Sequence, residues 1–581
     1  MRTLLITLGA GCLLAQVPPE DIRNTNVPNT DTHFAMPAYK SLAEWEARKA
    51  VLRKQILFAA GLEPMPDRTP LNPKIFGRIE YKDYSIEKVY LETFPGYYLA
   101  GNLYRPVGRS GRLPAVAHPH GHWNYGRLEH TPLGSIPARA INLARQGYVG
   151  FTYDMVGYND TVQTPHAFGS PVEQLWGFGP LGLQLWNSIR VLDFLESLPE
   201  VDPERLGVTG ASGGGTQSFL LAAVDERVRY AAPVNMISAI MQGGSPCENA
   251  PGLRVGAFNV EFAAMMAPRP LLMVSATGDW TRNTPKEEYP AVRGIYELYD
   301  RAAMVEQVQI DAPHNYNQAS REAVYTFFGK HALKESGAKV AERGIRVERL
   351  QDMLVLHGRT LPEGALSHEG LFAQWKRMAA AHNERPWDRD TRRSRLRLAL
   401  GAEWPARVQD QAQGERVVLS RGQGDRVPGL WFPGSGAAVL VVHPQGSEAV
   451  RGWPAVKKLI EAKRPVLLID AFQTGAAAAP RDRSHRHFLT FNRSDEAHRV
   501  QDILTALAFL QGRGQGRVEL LGIDEAGVWS VFAAALAPVP VQITPPAGFS
   551  GTDEEFLRQM FAPGIQRAGG WKAALLLAAE R

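Results

Sequence analysis

A chain of 581 residues with 44% hydrophobic and 21% charged residues holds enough apolar material for more than one core, in the balance of an ordinary globular protein. The formal net charge of +5 comes from scattered arginines, with one denser run from Arg385 to Arg397; no nucleic-acid module accompanies that run, which reads as a solvated face and removes nucleic acid as an expected partner. Past the N-terminus no stretch is long and apolar enough to cross a membrane, so no membrane span is expected.

The chain begins with Arg2, an apolar run from Leu4 to Leu14 broken only by small or hydroxyl residues, and Ala15 ahead of a polar, proline-containing segment. That layout predicts a signal peptide over residues 1–16 and a secreted or periplasmic protein, with a buried N-terminal helix as the rival reading. Of the two cysteines, Cys12 would leave with the signal and Cys247 would remain alone, so no internal disulfide is expected.

Ser41 to Leu62 spaces Leu42, Trp45, Leu52, Ile56 and Leu57 as a helix does, with Ser41 placed to cap its start and Gly61 and Pro64 to stop it. From Lys74 to Tyr104 polar and apolar residues alternate in short pieces broken at Lys82-Asp83 and Pro95-Gly96, which predicts an antiparallel edge. The rhythm then changes to strand and helix in turn: strand Pro114–His118, helix Ile136–Gln146, strand Tyr148–Tyr153, helix Leu183–Leu198, strand Arg205–Thr209, helix Thr216–Val224. Further strands are predicted over Tyr230–Val234, Pro270–Ala276 and Val305–Ile310. Such alternation implies an α/β class with a mostly parallel, doubly wound sheet.

Within this series Gly207 to Phe219 reads GVTGASGGGTQSF, with Ser212 in the pattern G-x-S-x-G between Gly210 and Gly214. An apolar strand before it and a small-residue helix after it predict a tight turn that presents the Ser212 hydroxyl above the sheet, a nucleophile elbow. The plainer alternative is a glycine-rich connection without chemistry. Asp279 then falls just past one predicted strand end and His314 just past the next, in the order Ser212, Asp279, His314 that elbow-bearing sheets use for a triad.

A serine hydroxyl attacks only when a base takes its proton, and an imidazole suits that task. His314 is the candidate base and Asp279 the candidate acid that fixes its tautomer. Glu248, in the loop Ser245-Pro-Cys-Glu-Asn, is the alternative acid, and Asp311 a weaker one. For the oxyanion hole the candidates are the backbone N–H of Gly213 and one from the loop His118-Pro-His-Gly-His, at Gly121 or His122. The histidines of that loop could hold zinc, but no further ligand follows at metal spacing, so neither metal nor other cofactor is expected. Trp123, Tyr125, Trp176, Phe178 and Trp186 flank these loops as stacking surfaces for a sugar or as a packed lid.

GASGG at 210–214, SATGDW at 275–280, DAPHNYN at 311–317 and HPHGHW at 118–123 together resemble a secreted bacterial α/β-hydrolase of the acetyl xylan esterase kind. The resemblance covers about the first 335 residues. It implies an α/β-hydrolase fold over residues 33–335 and a serine carboxylic ester hydrolase that removes short acyl groups from a carbohydrate. The rivals are a serine peptidase of the prolyl oligopeptidase kind and a noncatalytic binding protein on the same scaffold.

The remainder echoes the first part in order. RKQILFAAGLEPMP from Arg53 returns as RSRLRLALGAEWPA from Arg393, AVAHPHG from Ala115 as LVVHPQG from Leu440, and GFTYDMVG from Gly150 as LLIDAFQTG from Leu467. RLGVTGASGGGTQSF from Arg205 returns as ELLGIDEAGVWSVF from Glu519, which puts Asp524 where Ser212 stands. A linker over 336–364 and a degenerate α/β-hydrolase-like domain over 365–581 are expected. The sequence ends before the second pair of acid- and base-bearing loops, so Asp524 is expected to be inactive.

Overall fold

The computed structural model describes residues 17–335 and 338–579; the expected signal segment 1–16 lies outside that range. Among the described residues no helix is long and apolar enough to cross a membrane.

The first sheet starts with an antiparallel meander, β1 (Lys74–Glu80), β2 (Tyr84–Phe94) and β3 (Tyr97–Pro106). β4 (Leu113–His118), β5 (Val149–Tyr153), β6 (Val201–Ala211), β7 (Val228–Val234), β8 (Leu271–Gly278) and β9 (Val305–Pro313) follow and run parallel to one another. The spatial order is β1-β2-β3-β5-β4-β6-β7-β8-β9, with β3 antiparallel to β5 at the seam. β5 is buried along its whole length, as a central strand covered on both faces must be. The extra length of β2 and β6 over the predicted pieces comes from pairing: their polar positions are held by neighbouring strands, which no local pattern reveals.

Helices cover the sheet. α1 (Leu42–Ala59) starts where Ser41 Oγ accepts from Glu44 N, as the sequence predicts, and ends ahead of Gly61 at φ 66. α2 (Ile136–Gln146) is capped by Ser135 and closed by Gly147 at φ 109. α3 (Pro180–Ser197) and α4 (Gly213–Val224) begin earlier than predicted, because a proline in the first turn and the glycines after Ser212 are both admissible at a helix start.

A second sheet is made of β10 (Gln409–Gln413), β11 (Arg416–Ser420), β12 (Val427–Phe432), β13 (Ala438–Val442), β14 (Val466–Ile469), β15 (Val518–Gly522) and β16 (Val541–Ile543). Its order is β10-β11-β12-β14-β13-β15-β16. Strand for strand this repeats β1 to β7, including the antiparallel seam between β12 and β14. Counterparts of β8 and β9 are missing among the described residues.

The two halves share their packing. On α5 (His368–Asn383), Leu371 and Trp375 are buried in the core of the first sheet, while Phe58 and Leu175 belong to the core of the second. The stretch expected as a linker is bound along its course. Asn102 Nδ2 donates to Met353 O at 2.9 Å, Asp160 accepts from the N–H groups of Val355 and Leu356, and Arg321 pairs with Glu342.

Candidate functional site

Between β6 and α4, Ser212 has φ 58 and ψ −126, a conformation that costs a non-glycine residue of order 1–3 kcal/mol and persists only where the surroundings impose it. Here they do. A Cβ on Gly210 would lie 2.4 Å from Pro119 O, and one on Gly214 2.7 Å from the same oxygen, so the 118–122 loop reaches the turn only because both positions are glycine. Gly121 is pressed equally close, its would-be Cβ 3.1 Å from Ser212 Cβ. The backbone of Gly121 therefore lies against the serine, and Gly213 supplies the first N–H of α4 on the other side.

At the ends of β8 and β9, His314 Nδ1 is 2.8 Å from Asp279 Oδ2. Asp279 is buried, and its other oxygen accepts from the N–H and hydroxyl of Thr281 at 2.7 and 2.5 Å. Asp279 thus orients the imidazole and caps the following turn at once, through its separate oxygens. The loop carrying His314 is tied down on both sides: Tyr316 OH meets Thr209 Oγ1 at 2.6 Å, and Asn235 Nδ2 donates to Asn315 O at 2.8 Å. Trp280, the last residue of SATGDW, lies against the imidazole, ring centroids 4.4 Å apart. His314 Nε2 is buried and has no hydrogen-bond partner among the described residues. No hydrogen bond joins it to Ser212 among the described residues, and such contacts often close only around substrate.

Glu248 is buried with its carboxylate committed elsewhere, accepting from Gly244 N, Ser245 N and Thr216 Oγ1 at 3.0–3.2 Å. Asp311 is exposed and accepts from Thr277 Oγ1 at 2.6 Å. Neither is hydrogen-bonded to His314 among the described residues.

The histidine-rich loop divides its work. His118 Nδ1 accepts from Arg139 Nε, and His120 Nε2 accepts from Met155 N while its Nδ1 donates to Gly121 O at 2.7 Å. Burial keeps both neutral, pushing His120 down to about 3 and His118 well below its ordinary value. They hold the loop. His122 instead turns over the start of α4, where a Cβ on Gly213 would be 2.6 Å from its Cε1. It meets two residues from other loops, with Nε2 3.1 Å from Cys247 Sγ and its ring 5.1 Å from that of His166. Sequence spacing gave no sign of that grouping.

The flanking aromatics mostly pack. Trp186 is buried and donates to Thr93 O at 2.7 Å, Phe178 stacks among Phe372 and Trp375, and Trp176 donates to Asp553 Oδ1 of the second half at 2.9 Å. Trp123 and Tyr125 retain exposure beside the loop.

In the second half Asp524 has φ 50 and ψ −129, nearly the backbone of Ser212. Its side chain is 73% exposed, and the nearest imidazole, His443, stands 3.9 Å away.

No protein-family model matches the chain. Over 188 residues it is 27% identical to YtaP of Bacillus subtilis, a protein that carries only the name of a hydrolase, covering 31% of this chain and 62% of YtaP. The chain thus spans less than two thirds of that relative. Among solved structures, the methylesterase BT1017 is 30% identical with a TM-score of 0.49, covering 59% of this chain and 75% of its own. An acetyl xylan esterase from Paenibacillus sp. R4 is 19% identical with a TM-score of 0.36, covering 51% and 96%. The strand order with its antiparallel lead-in and the serine turn after β6 carry more weight than any one of these likenesses, and by that architecture the chain belongs to the α/β-hydrolases.

Proposed function

We propose that the chain is a secreted serine carboxylic ester hydrolase acting on an acylated carbohydrate, with Ser212, His314 and Asp279 as its triad. The observation that carries this reading is the 2.8 Å contact between His314 Nδ1 and Asp279 Oδ2, because it leaves the lone pair of His314 free on Nε2. In that tautomer Nε2 takes the Ser212 proton as Oγ attacks the ester carbonyl. The N–H of Gly213, with that of Gly121 or His122, receives the charge that develops on the carbonyl oxygen. His314 then protonates the departing alcohol, and a water activated by the same nitrogen releases the acid from Ser212. The apolar N-terminal run supports export.

The test is hydrolysis of 4-nitrophenyl esters of increasing chain length, with acetylated xylan and a methyl uronate ester alongside. Acetyl esters should be turned over fastest, and Ser212→Ala should remove at least about 10^3 of kcat while the fold is kept. Undiminished hydrolysis by Ser212→Ala would refute the proposal.

A further inference from the structure

His122, His166 and Cys247 come from three separate loops, and one ligand atom from each falls within 4.8 Å of the others. We propose that they form a binding site for a divalent transition-metal ion of the zinc type beside the Ser212 turn, with a fourth coordination position left open.

The donor set is of the right kind. Two imidazoles and one thiolate are borderline-soft ligands that favour zinc over magnesium or calcium, and three protein ligands with one position open to water is an established zinc coordination pattern. The distances are close to what the ion needs. Bonds of about 2.1 Å to nitrogen and 2.3 Å to sulfur at tetrahedral angles put ligand atoms roughly 3.5 Å apart. His122 Nε2 and Cys247 Sγ are already at 3.1 Å, and both imidazoles are half-buried, so the ion can reach them and the rings can adjust.

The surroundings prepare the ligands. His166 Nδ1 donates to Val156 O at 2.7 Å, which fixes the tautomer and leaves the Nε2 lone pair toward the cluster, the usual arrangement behind a metal-bound histidine. Ser245 Oγ, 3.4 Å from that Nε2, is a weak occupant that the ion would displace. The Glu248 carboxylate, next to Cys247 in the chain and buried, adds negative charge without being a ligand. Without metal the cluster is satisfied by a thiol–imidazole hydrogen bond from Cys247 to His122. Binding replaces that bond: the Cys247 thiol gives one proton to solvent, and its sulfur and the two Nε2 lone pairs bind the ion.

This inference is independent of the serine chemistry, and its test does not read hydrolysis. The full chain carrying Cys12→Ser, stripped with a chelator, is titrated with cobalt(II) and the cobalt is then displaced with zinc. The expected result is one ion per chain with a thiolate-to-cobalt charge-transfer band, which only Cys247 can supply once Cys12 is gone. Cys247→Ser should abolish the band, His166→Gln should weaken zinc binding at least about tenfold, and Ser212→Ala should bind as the parent does. Absence of the band in the parent overturns the proposal with no reliance on variants that fold. So does a spectrum and affinity unchanged in both Cys247→Ser and His166→Gln.

Discussion

Asp279→Asn separates the two jobs of this carboxylate. One oxygen accepts from Thr281 N at 2.7 Å and from Thr281 Oγ1 at 2.5 Å, the other from His314 Nδ1 at 2.8 Å. An amide has one acceptor oxygen, and the side facing Thr281 has two donors to satisfy, one of them a fixed backbone N–H. The amide oxygen therefore settles there and its NH2 faces His314. The imidazole must then present a lone pair at Nδ1, moving its proton to Nε2, where it can no longer take one from Ser212. A wrong tautomer of this kind lowers kcat about 10^4-fold, or roughly 5 kcal/mol. Stability should change little, since the Thr281 bonds survive. Glu248→Gln, whose carboxylate is bonded to Thr216 and to the backbone of Gly244 and Ser245, should cost far less. The assay is kcat on 4-nitrophenyl acetate with a melting curve for each variant. A loss below tenfold in Asp279→Asn, or a larger one in Glu248→Gln, would refute the reasoning.

Asp524→Ala should leave ester hydrolysis within about twofold of the parent, since its side chain is 73% exposed and His443 stands beyond hydrogen-bond distance at 3.9 Å; a large loss would mean that the second half has a working site. Trp375→Ala should cost about 3–5 kcal/mol, because this fully buried indole from the second half fills the first core, and a urea midpoint unmoved by the change would contradict that packing. Deleting everything from residue 365 removes Leu371 and Trp375 with it and should yield insoluble protein, whereas hydrolysis by a soluble, cooperatively melting truncation would show that the first half stands alone. Burial holds His120 down at about 3 in the folded chain, against about 6.5 when unfolded. The unfolded chain therefore binds more protons between those values, and stability is full above about pH 6.5 and falls as pH drops through the window. His120 alone contributes about 2–3 kcal/mol of loss by pH 4.5, to be read as a lower urea midpoint there than at pH 7.5; an equal or higher midpoint would count against it.

What the sequence carried, and what it did not, follows from the range of each signal. The turn around Ser212, the strand-end positions of Asp279 and His314, and the repeat of strand order in the second half were all legible, because each is written in residues adjacent along the chain. The separate use of the two Asp279 oxygens was not, since it depends on side-chain geometry. Nor was the fate of the aromatics. Trp186 and Phe178 lie near the site loops in sequence, but α3 and α5 fold them inward. The grouping of His122, His166 and Cys247 needs three loops to converge, whereas spacing within one loop offered only His118, His120 and His122, of which the fold spends the first on the Arg139 side chain and the second on the backbone of Met155. The segment after residue 336 looked like a tether because it lacks periodicity, yet Asp160 and Asn102 bind its backbone.

The second half keeps the strained turn with an aspartate in place of the serine, and the packing explains why. Gly214 admits the 118–122 loop only because it lacks a Cβ, and its counterpart Ala526 carries one. A methyl group there bars the close approach that an oxyanion loop needs. What the turn still does is set a helix on the sheet. Residues 526–536 of the helix after Asp524 are buried without interruption, and relaxing Asp524 to an ordinary conformation would swing that helix off β13 and β15. The strain of order 1–3 kcal/mol is thus outweighed by a buried helix that α6 (Gly570–Ala579) covers from outside. The half so preserved reaches the serine site through one loop. Leu489 O accepts from Gly252 N at 2.7 Å, Thr490 O from Arg254 N at 2.8 Å, and Thr490 Oγ1 donates to Asn249 O at 3.0 Å. These bonds clamp the segment that bears Cys247 and Glu248, so the degenerate half fixes one wall of the site that its own turn no longer forms.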